Sequence, residues 1–514
     1  MLRSLRAFLG APSPPPTDQD RETAGLLAPV PPSAPSPSHE HSAPVIKTSI
    51  GLAAVNFANG VVGAGIVGLP SAVNQAGLPL GVFFCVFVAV LSQYTIRLLA
   101  EMGTAHGMSS YLDLASRSFG PWGYNLCAFF QATFAFGAMV TYLIIFADTV
   151  PAVLTDAAPG WAAAHPGLVD RRAVLALAGV FLLLPLSLIR AFGLLARLGL
   201  LKLCATLFLA ATVCFYATAL PVVSGKDEAW KYRQAHGAFF PALGTIAFAF
   251  VCHHQTFLVQ GSLRNATPRR FAITVALAIF GSFTLSLTVA VAGYVTFFEA
   301  TEGDLFVNYE RRFVAGASEG AAFPLPGLLL TARLLLAANM IITYPGELLV
   351  ARQTVENVLD RWRRGRRRLA LAAPSHDAAA LASLHAALRE EEAALAAASA
   401  DKWTLSSPIT GPLREHVGVT LALLVTSLGI AMGVRDITLV LNLTGSTAAV
   451  FLSFLLPAAI RLRLGAHSQD STPWLHPRNW APLFVLAFGA VSFVASTGVS
   501  LVDLALGNTS GARR

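Results

Sequence analysis

The chain reads as an all-α integral membrane protein of about eleven transmembrane helices, the first and sixth of them interrupted. Three observations predict this: too few charges to coat a soluble fold, a succession of apolar runs of bilayer-spanning length, and glycine-rich or polar interruptions inside two of those runs. Of 514 residues, 55% are hydrophobic and only 12% are charged, and the mean hydropathy is +0.61. Soluble domains carry roughly 25% charged residues, so the excess apolar matter calls for an apolar solvent. A soluble enzyme, a coiled coil and a disordered chain are excluded on this count. The formal net charge of +8 does not point to nucleic acid, because most Arg and Lys fall in short segments between apolar runs, as topology determinants do. The five cysteines (Cys85, Cys127, Cys204, Cys214, Cys252) all sit inside apolar runs, with neither metal-site spacing nor the loop position of a structural disulfide.

In chain order, residues 1–47, rich in Pro and Ser over 11–46, are expected to be a disordered cytoplasmic tail. Its first ten residues are basic and apolar but lack a small-residue cleavage site, so a removable signal peptide is not expected. Residues 48–351 hold spans 1 to 8, placed at 48–72, 78–100, 122–148, 172–189, 197–220, 240–260, 271–297 and 326–351. Residues 352–414 form a long basic and Ala-rich cytoplasmic loop, 415–506 hold spans 9 to 11 (415–433, 437–460, 480–505), and 507–514 form a short non-cytoplasmic tail. With the N-terminus inside, about 25 of the 36 Lys and Arg residues fall on the cytoplasmic side, as the positive-inside rule requires. Asn508-Thr509-Ser510 is then an accessible glycosylation sequon and Asn265-Ala266-Thr267 is not. In the 352–414 loop, the Arg run 361–368 and the Ala-rich stretch 378–400 read as a topology-fixing cluster followed by a solvated helix. Attachment to anionic lipids of the cytoplasmic leaflet is the functional alternative.

Two interruptions carry the chemistry. The first span contains Asn59-Gly60-Val61-Val62-Gly63-Ala64-Gly65-Ile66-Val67-Gly68-Leu69-Pro70. Each interior Gly costs a helix roughly 1 kcal/mol, and backbone unwound at membrane depth is tolerated only against protein or water. One use is a binding site, with the N-terminal end of a half-helix facing an anion and unwound carbonyls facing a cation. The other is close packing along the Gly60, Ala64, Gly68 stripe. The sixth span sets Cys252-His253-His254-Gln255-Thr256 among apolar residues. Polar groups there are costly and face the interior. The two histidines point about 100° apart on a helix, and no further ligand supports zinc. Spans 1 and 6 are five apart, the separation of corresponding discontinuous helices in a five-plus-five inverted repeat, which favours secondary transport.

The eighth span adds Asn339, Thr343, Tyr344, Pro345 and Glu347. Pro345-Gly346 is expected to kink the helix, and Thr343 could offer oxygen to a hard cation or bond back to its own helix. Arg333 is expected to snorkel to the outer surface. In the tenth span, 442–447 (Asn-Leu-Thr-Gly-Ser-Thr) suits a gate or a helix interface. His165 and Asp170 have the H-x4-D spacing of acyltransferases, but without a companion substrate motif no enzyme activity is expected. A membrane sensor that binds its ligand without moving it is the remaining rival. Glu22 to Leu27 matches an acidic dileucine sorting pattern, which would favour a vacuolar or endosomal membrane; such short matches also arise by chance, and the plasma membrane is the alternative.

The stretches NGVVGAGIVGLPSAVNQAGLPLG (59–81), PLSLIR (185–190), FAFVCHHQTFLV (248–259), GYVTF (293–297), GDLFVNY (303–309) and ITYPGELLVAR (342–352) resemble the sodium-coupled neutral amino acid transporter family of the amino acid/auxin permease superfamily. The resemblance implies a LeuT-like 5+5 inverted repeat and alternating-access transport of neutral amino acids such as glutamine, coupled to sodium. It implies a substrate site at Gly63, Ala64, Gly65 and Ile66, with Phe250, His253 and His254 opposite. It implies a sodium site at Asn59 and Thr343, with Val62 beside them. No cofactor is implied beyond the coupling ion, and the partners are the amino acid and the lipid bilayer, with no nucleic acid. The 8–9 loop is longer than the family's, and Asn442 stands where an acidic residue is expected. Vacuolar relatives in the superfamily use protons, so a proton remains the alternative coupling ion.

Overall fold

In a computed structural model of the chain, the described residues are 47–188, 198–220, 239–318, 324–371, 413–465 and 476–506. The dileucine pattern, the sequon at Asn508 and the stretch 378–400 lie outside them. Among the described residues, ten helices are long and apolar enough to cross a membrane, and the bent pair Ile50–Val61 and Gly65–Ala76 makes an eleventh span. Span 1 is α1 (Ile50–Val61) followed by α2 (Gly65–Ala76), span 2 is α3 (Leu78–Ala105) and span 3 is α4 (Tyr111–Ala157). Span 4 is α5 (Arg171–Leu188) and span 5 is α6 (Gly199–Ala219). Span 6 is α7 (Phe239–Phe250) and α8 (Thr256–Ser262), and span 7 is α9 (Pro268–Phe297). After α10 (Leu305–Ser318) come α11 (Pro326–Leu371) and α12 (Leu413–Gly433) as spans 8 and 9. Spans 10 and 11 are α13 (Ile437–Gly465) and α14 (Trp480–Ala505).

Local chemistry explains the boundaries. Ser49 caps α1, Ser110 caps α4 and Thr267 caps α9, each side chain accepting from a first-turn N–H. Within α4, Gly120 turns at φ 65°, a conformation open to Gly at little cost, and Pro121 restarts the helix at the membrane boundary. Asp170, one of the H-x4-D residues, caps α5 by accepting from Arg172 N at 2.9 Å. Its partner His165 is exposed and stacks on Trp161. Both thus have structural explanations.

Burial sorts the spans into an inner and an outer set. In span 6, 89% of the apolar window is buried, against 28% in spans 9 and 11. In α2, every residue from Gly65 to Val73 is buried. Spans 1 and 6 pack against each other, span 1 also against span 7 and span 6 against span 10, while α4 and α11 run along one another. The outward faces expose Phe83, Phe280 and Val494, apolar surface on this scale being stable only in lipid.

Two features depart from expectation. α11 runs on through Pro345-Gly346 and out of the membrane to Leu371, so part of the basic run is helix and not loop. On it Arg363 pairs with Glu415 at 2.6 Å, and Arg361 lies 4.2 Å over the Tyr124 ring. Arg333 does not snorkel. It is 1% exposed and pairs with Asp156 at 3.0 Å and Glu310 at 3.4 Å, while donating to Phe306 O. The carboxylates from α4 and α10 make burial of the guanidinium tolerable.

This network holds the 7–8 connection over the C-terminal end of span 1. There Asn74 of α2 donates to Glu299 O and Thr301 O, and Asn308 donates to Ala300 O at 2.6 Å. Asp304 starts α10 by accepting from Phe306 N at 2.8 Å. Burial, reinforced by nearby Asp148, pushes its carboxyl up to about 7, against the opposing pull of the Phe306 N–H and Arg333. A carboxyl whose pKa is raised by folding binds its proton more tightly in the folded state. Its contribution is therefore full at low pH and declines as pH climbs from 3.8 toward about 7. Thermal unfolding of the purified protein should show this decline, and Asp304→Asn, which keeps the capping oxygen, should flatten it; an unchanged pH profile in the variant would contradict the assignment.

Candidate functional site

The first break occupies three residues. Val62 leaves the helix at φ −83°, ψ 70°, Gly63 N turns back to Val61 O at 2.9 Å, and α2 restarts bent by 55° from α1. Ala64 stands at the N-cap of α2 and supplies no side-chain acceptor. A buried helix start without a cap presents N–H groups and positive dipole to whatever lies before it.

The second break lies alongside. α7 ends at Phe250, Val251 and Cys252 are not helical, and His253–Gln255 form a single tight turn before α8. The glycines of span 1 are what lets the two breaks meet. A Cβ on Gly65 would stand 2.6 Å from the Ala249 Cα, and one on Gly63 would stand 2.9 Å from the Tyr142 hydroxyl. A Cβ on Gly60 would run into the Gln255 amide. Unwinding and close packing, posed as rivals by the sequence, are both present in one segment.

The two histidines part company, as their helical spacing predicts. His253 is fully buried, with Nε2 2.8 Å from Thr95 Oγ1 and Nδ1 3.0 Å from Ser453 Oγ. Thr95 gives its one proton to Leu91 O, so it accepts from His253 Nε2 and Ser453 donates to Nδ1. The imidazole ties spans 2, 6 and 10 together. His254 turns the other way: its Nε2 lies 3.2 Å from Gln255 Nε2 and 3.8 Å from Glu347 Oε2. Glu347 also faces Lys202 of α6 and Tyr142 of α4. Phe250 is buried and its ring approaches Phe283 of span 7.

The residues expected to hold the cation come from spans 1 and 8. Asn59 is buried and donates from Nδ2 to Gly199 O at 2.6 Å, at the start of α6. Thr343 donates to Asn339 O of its own helix at 2.7 Å. That bond commits its proton and leaves oxygen lone pairs for a cation. Val62 carries the first carbonyl after α1. The patch in span 10 is a helix interface: Thr245 donates to Asn442 Oδ1, and Gly244 lets the backbones of α7 and α13 touch.

Sequence reasoning left Tyr142 and Lys202 unremarked. The only local signal was one ammonium in the otherwise uncharged run 199–219, which membrane energetics marks as functional by default.

The close approach of the breaks makes a test. Gly65→Ala should press the new methyl on the Ala249 backbone, cost about 1–3 kcal/mol as overpacking, and abolish amino acid binding. Gly51→Ala, at a site in α1 with open space around it, should do neither. Equal thermal midpoints and equal ligand-induced stabilisation in the two variants would contradict the assignment.

The sequence model of the family described as transmembrane amino acid transporter protein matches residues 47–502. Among curated relatives, the putative sodium-coupled neutral amino acid transporter 11 of Danio rerio is 29% identical over 462 residues, covering 89% of this chain and 87% of the relative. The mouse protein of the same name, from Mus musculus, is 33% identical over 62% of this chain and 66% of its own length. Vacuolar amino acid transporter 2 of Saccharomyces cerevisiae is 24% identical over 90% of this chain and 85% of its own. Members of this family are transporters and not enzymes. An eleven-span helical membrane protein with two facing breaks, matched along nearly its whole membrane region, is thus a member of the transmembrane amino acid transporter family.

Proposed function

We propose that the chain is a secondary active carrier of neutral amino acids, such as glutamine, that works by alternating access around the paired breaks of spans 1 and 6. The observation that carries this reading is the uncapped, buried start of α2 set against the second break. The α-carboxylate of a zwitterion would take the N–H groups at Gly65 and Ile66, next to Gly63 and Ala64. The unwound carbonyls near Val251 and Cys252 would take the α-ammonium. A LeuT-like repeat, with spans 1–5 related to spans 6–10, accounts for two breaks five spans apart.

The coupling ion in this reading is sodium, held by Asn59, the Val62 carbonyl and Thr343. The name of the Danio rerio relative supports it, as does the hydroxyl of Thr343, which keeps lone pairs for a hard cation. Proton coupling is the second reading, favoured by the buried carboxylate of Glu347 facing His254. The names of the relatives support either a vacuolar or a plasma membrane.

Uptake of labelled neutral amino acids into proteoliposomes, with sodium or choline outside, tests the order. Sodium should stimulate uptake, and Asn59→Ala or Thr343→Ala should raise the half-saturating sodium concentration about tenfold, equal to about 1.4 kcal/mol. Uptake indifferent to sodium but collapsed by dissipating a pH gradient would reverse it.

A further inference from the structure

We propose that a recess between spans 2, 6 and 7 binds one phospholipid whose headgroup carries a primary ammonium, as in phosphatidylethanolamine. The site lies apart from the paired breaks and does not depend on which ion drives transport.

The recess sits where α3, α8 and the start of α9 meet, lined by Arg97, Glu101, Thr104, Gln260, Pro268 and Phe271. Arg97, Glu101, Thr104 and Pro268 are exposed, so it opens at the surface. Its empty space of about 260 Å³ falls just short of the roughly 300–1,000 Å³ of pockets that enclose whole small ligands. A headgroup whose tails lie outside suits that size. Apolar surface leads up to the recess on two helices. On α3, the exposed Phe83, Val86 and Val90 continue at helical spacing into Arg97, Glu101 and Thr104. On α9, the exposed Phe280, Leu277 and Ile273 run toward Pro268. These two helices pack side by side, so a lipid lying along them brings its headgroup to the recess.

The polar groups there call for both signs of charge. Arg97 and Glu101 stand one helical turn apart, about 5–6 Å between Cβ atoms, and neither has an ion-pair partner among the described residues. A guanidinium grips phosphate through paired N–H donors, and the start of α9 adds the positive end of its dipole. The atom that selects the headgroup is Gln260 Oε1. Thr104 gives its one proton to Ala100 O at 2.8 Å, so it accepts from Gln260 Nε2 at 3.0 Å. That bond fixes which end of the amide is the oxygen. Oε1 is then a buried acceptor with no hydrogen-bond partner among the described residues, a condition that calls for a donor. A primary ammonium brings three N–H groups and serves Gln260 and Glu101 together, while the phosphate two carbons away meets Arg97. A choline headgroup has the same charges but no N–H, and leaves Oε1 unanswered. Gln260 belongs to α8, the half of span 6 beyond the second break, so the lipid ties that half to spans 2 and 7.

The test offers the purified full chain equal amounts of phosphatidylethanolamine and phosphatidylcholine with identical acyl chains, and reads the retained lipid by native mass spectrometry. The wild type should retain the ethanolamine lipid about tenfold over the choline lipid, the factor carried by one charge-assisted hydrogen bond. Glu101→Ala and Gln260→Leu should each bring the two lipids toward parity, and Arg97→Ala should lower retention of both. Arg172→Ala, at an exposed arginine outside the recess, should change neither. Equal retention of the two lipids by the wild type would overturn the proposal, whether or not every variant folds. So would a wild type that retains phosphatidylglycerol best, which would mark a plain anion site. An ethanolamine preference undiminished in folded Glu101→Ala and Gln260→Leu would place the lipid elsewhere and overturn it too.

Discussion

A peptide group at membrane depth has no water to turn to, so any backbone that leaves the helix must be sheltered by protein. The centre of this molecule is organised around that constraint. Val62, Gly63 and Ala64 leave the helix in span 1, and Val251 and Cys252 leave it in span 6. The restart of span 1 is sheltered by the α7 backbone just ahead of the second break, where Gly65 meets Ala249. The surrounding spans then supply polar groups where unsatisfied backbone would otherwise meet hydrocarbon: Tyr142 beside Gly63, Gln255 beside Gly60, and Asn59 on the carbonyl of Gly199.

Rigid anchors flank this yielding centre. His253, on the turn that follows the second break, is fixed on both ring nitrogens by hydroxyls of spans 2 and 10. Toward one end of the bundle, Arg333 joins α11 to α4 and α10, and Arg171 of α5 donates to Asp148 and to the carbonyls of Ala431 and Val434 at the end of α12. Toward the other, buried Arg352 donates to Ser187 O and Thr420 of spans 4 and 9. The start of span 1 is laced to the end of span 6, with Thr48 N donating to Ser262 O and Arg264 N to Thr48 O.

Much of this was legible in the sequence, for reasons that are local. A run of apolar residues reports a span by its length alone. Four glycines in 59–70, and a polar cluster in 252–256, report breaks because both are expensive in a lipid-facing helix. What escaped is what depends on distance in three dimensions. Arg333 was read as an isolated charge because its partner Asp156 lies 177 positions away. Lys202, His254 and Glu347 come from three different spans, and no periodicity in any one of them announces that they converge. The helical extension of span 8 was masked by its own composition. Arginine is a good helix former, and a charged helix leaving the bilayer looks, by hydropathy, like a loop.

The central claim is that the facing breaks of spans 1 and 6 form the amino acid site. An electron cryo-microscopy map of the full chain with a bound neutral amino acid tests it most directly. The account predicts ligand density with its carboxylate at the start of α2 and its other end toward Cys252. Density lodged elsewhere, or spans 1 and 6 running as unbroken helices with no ligand between them, would contradict it.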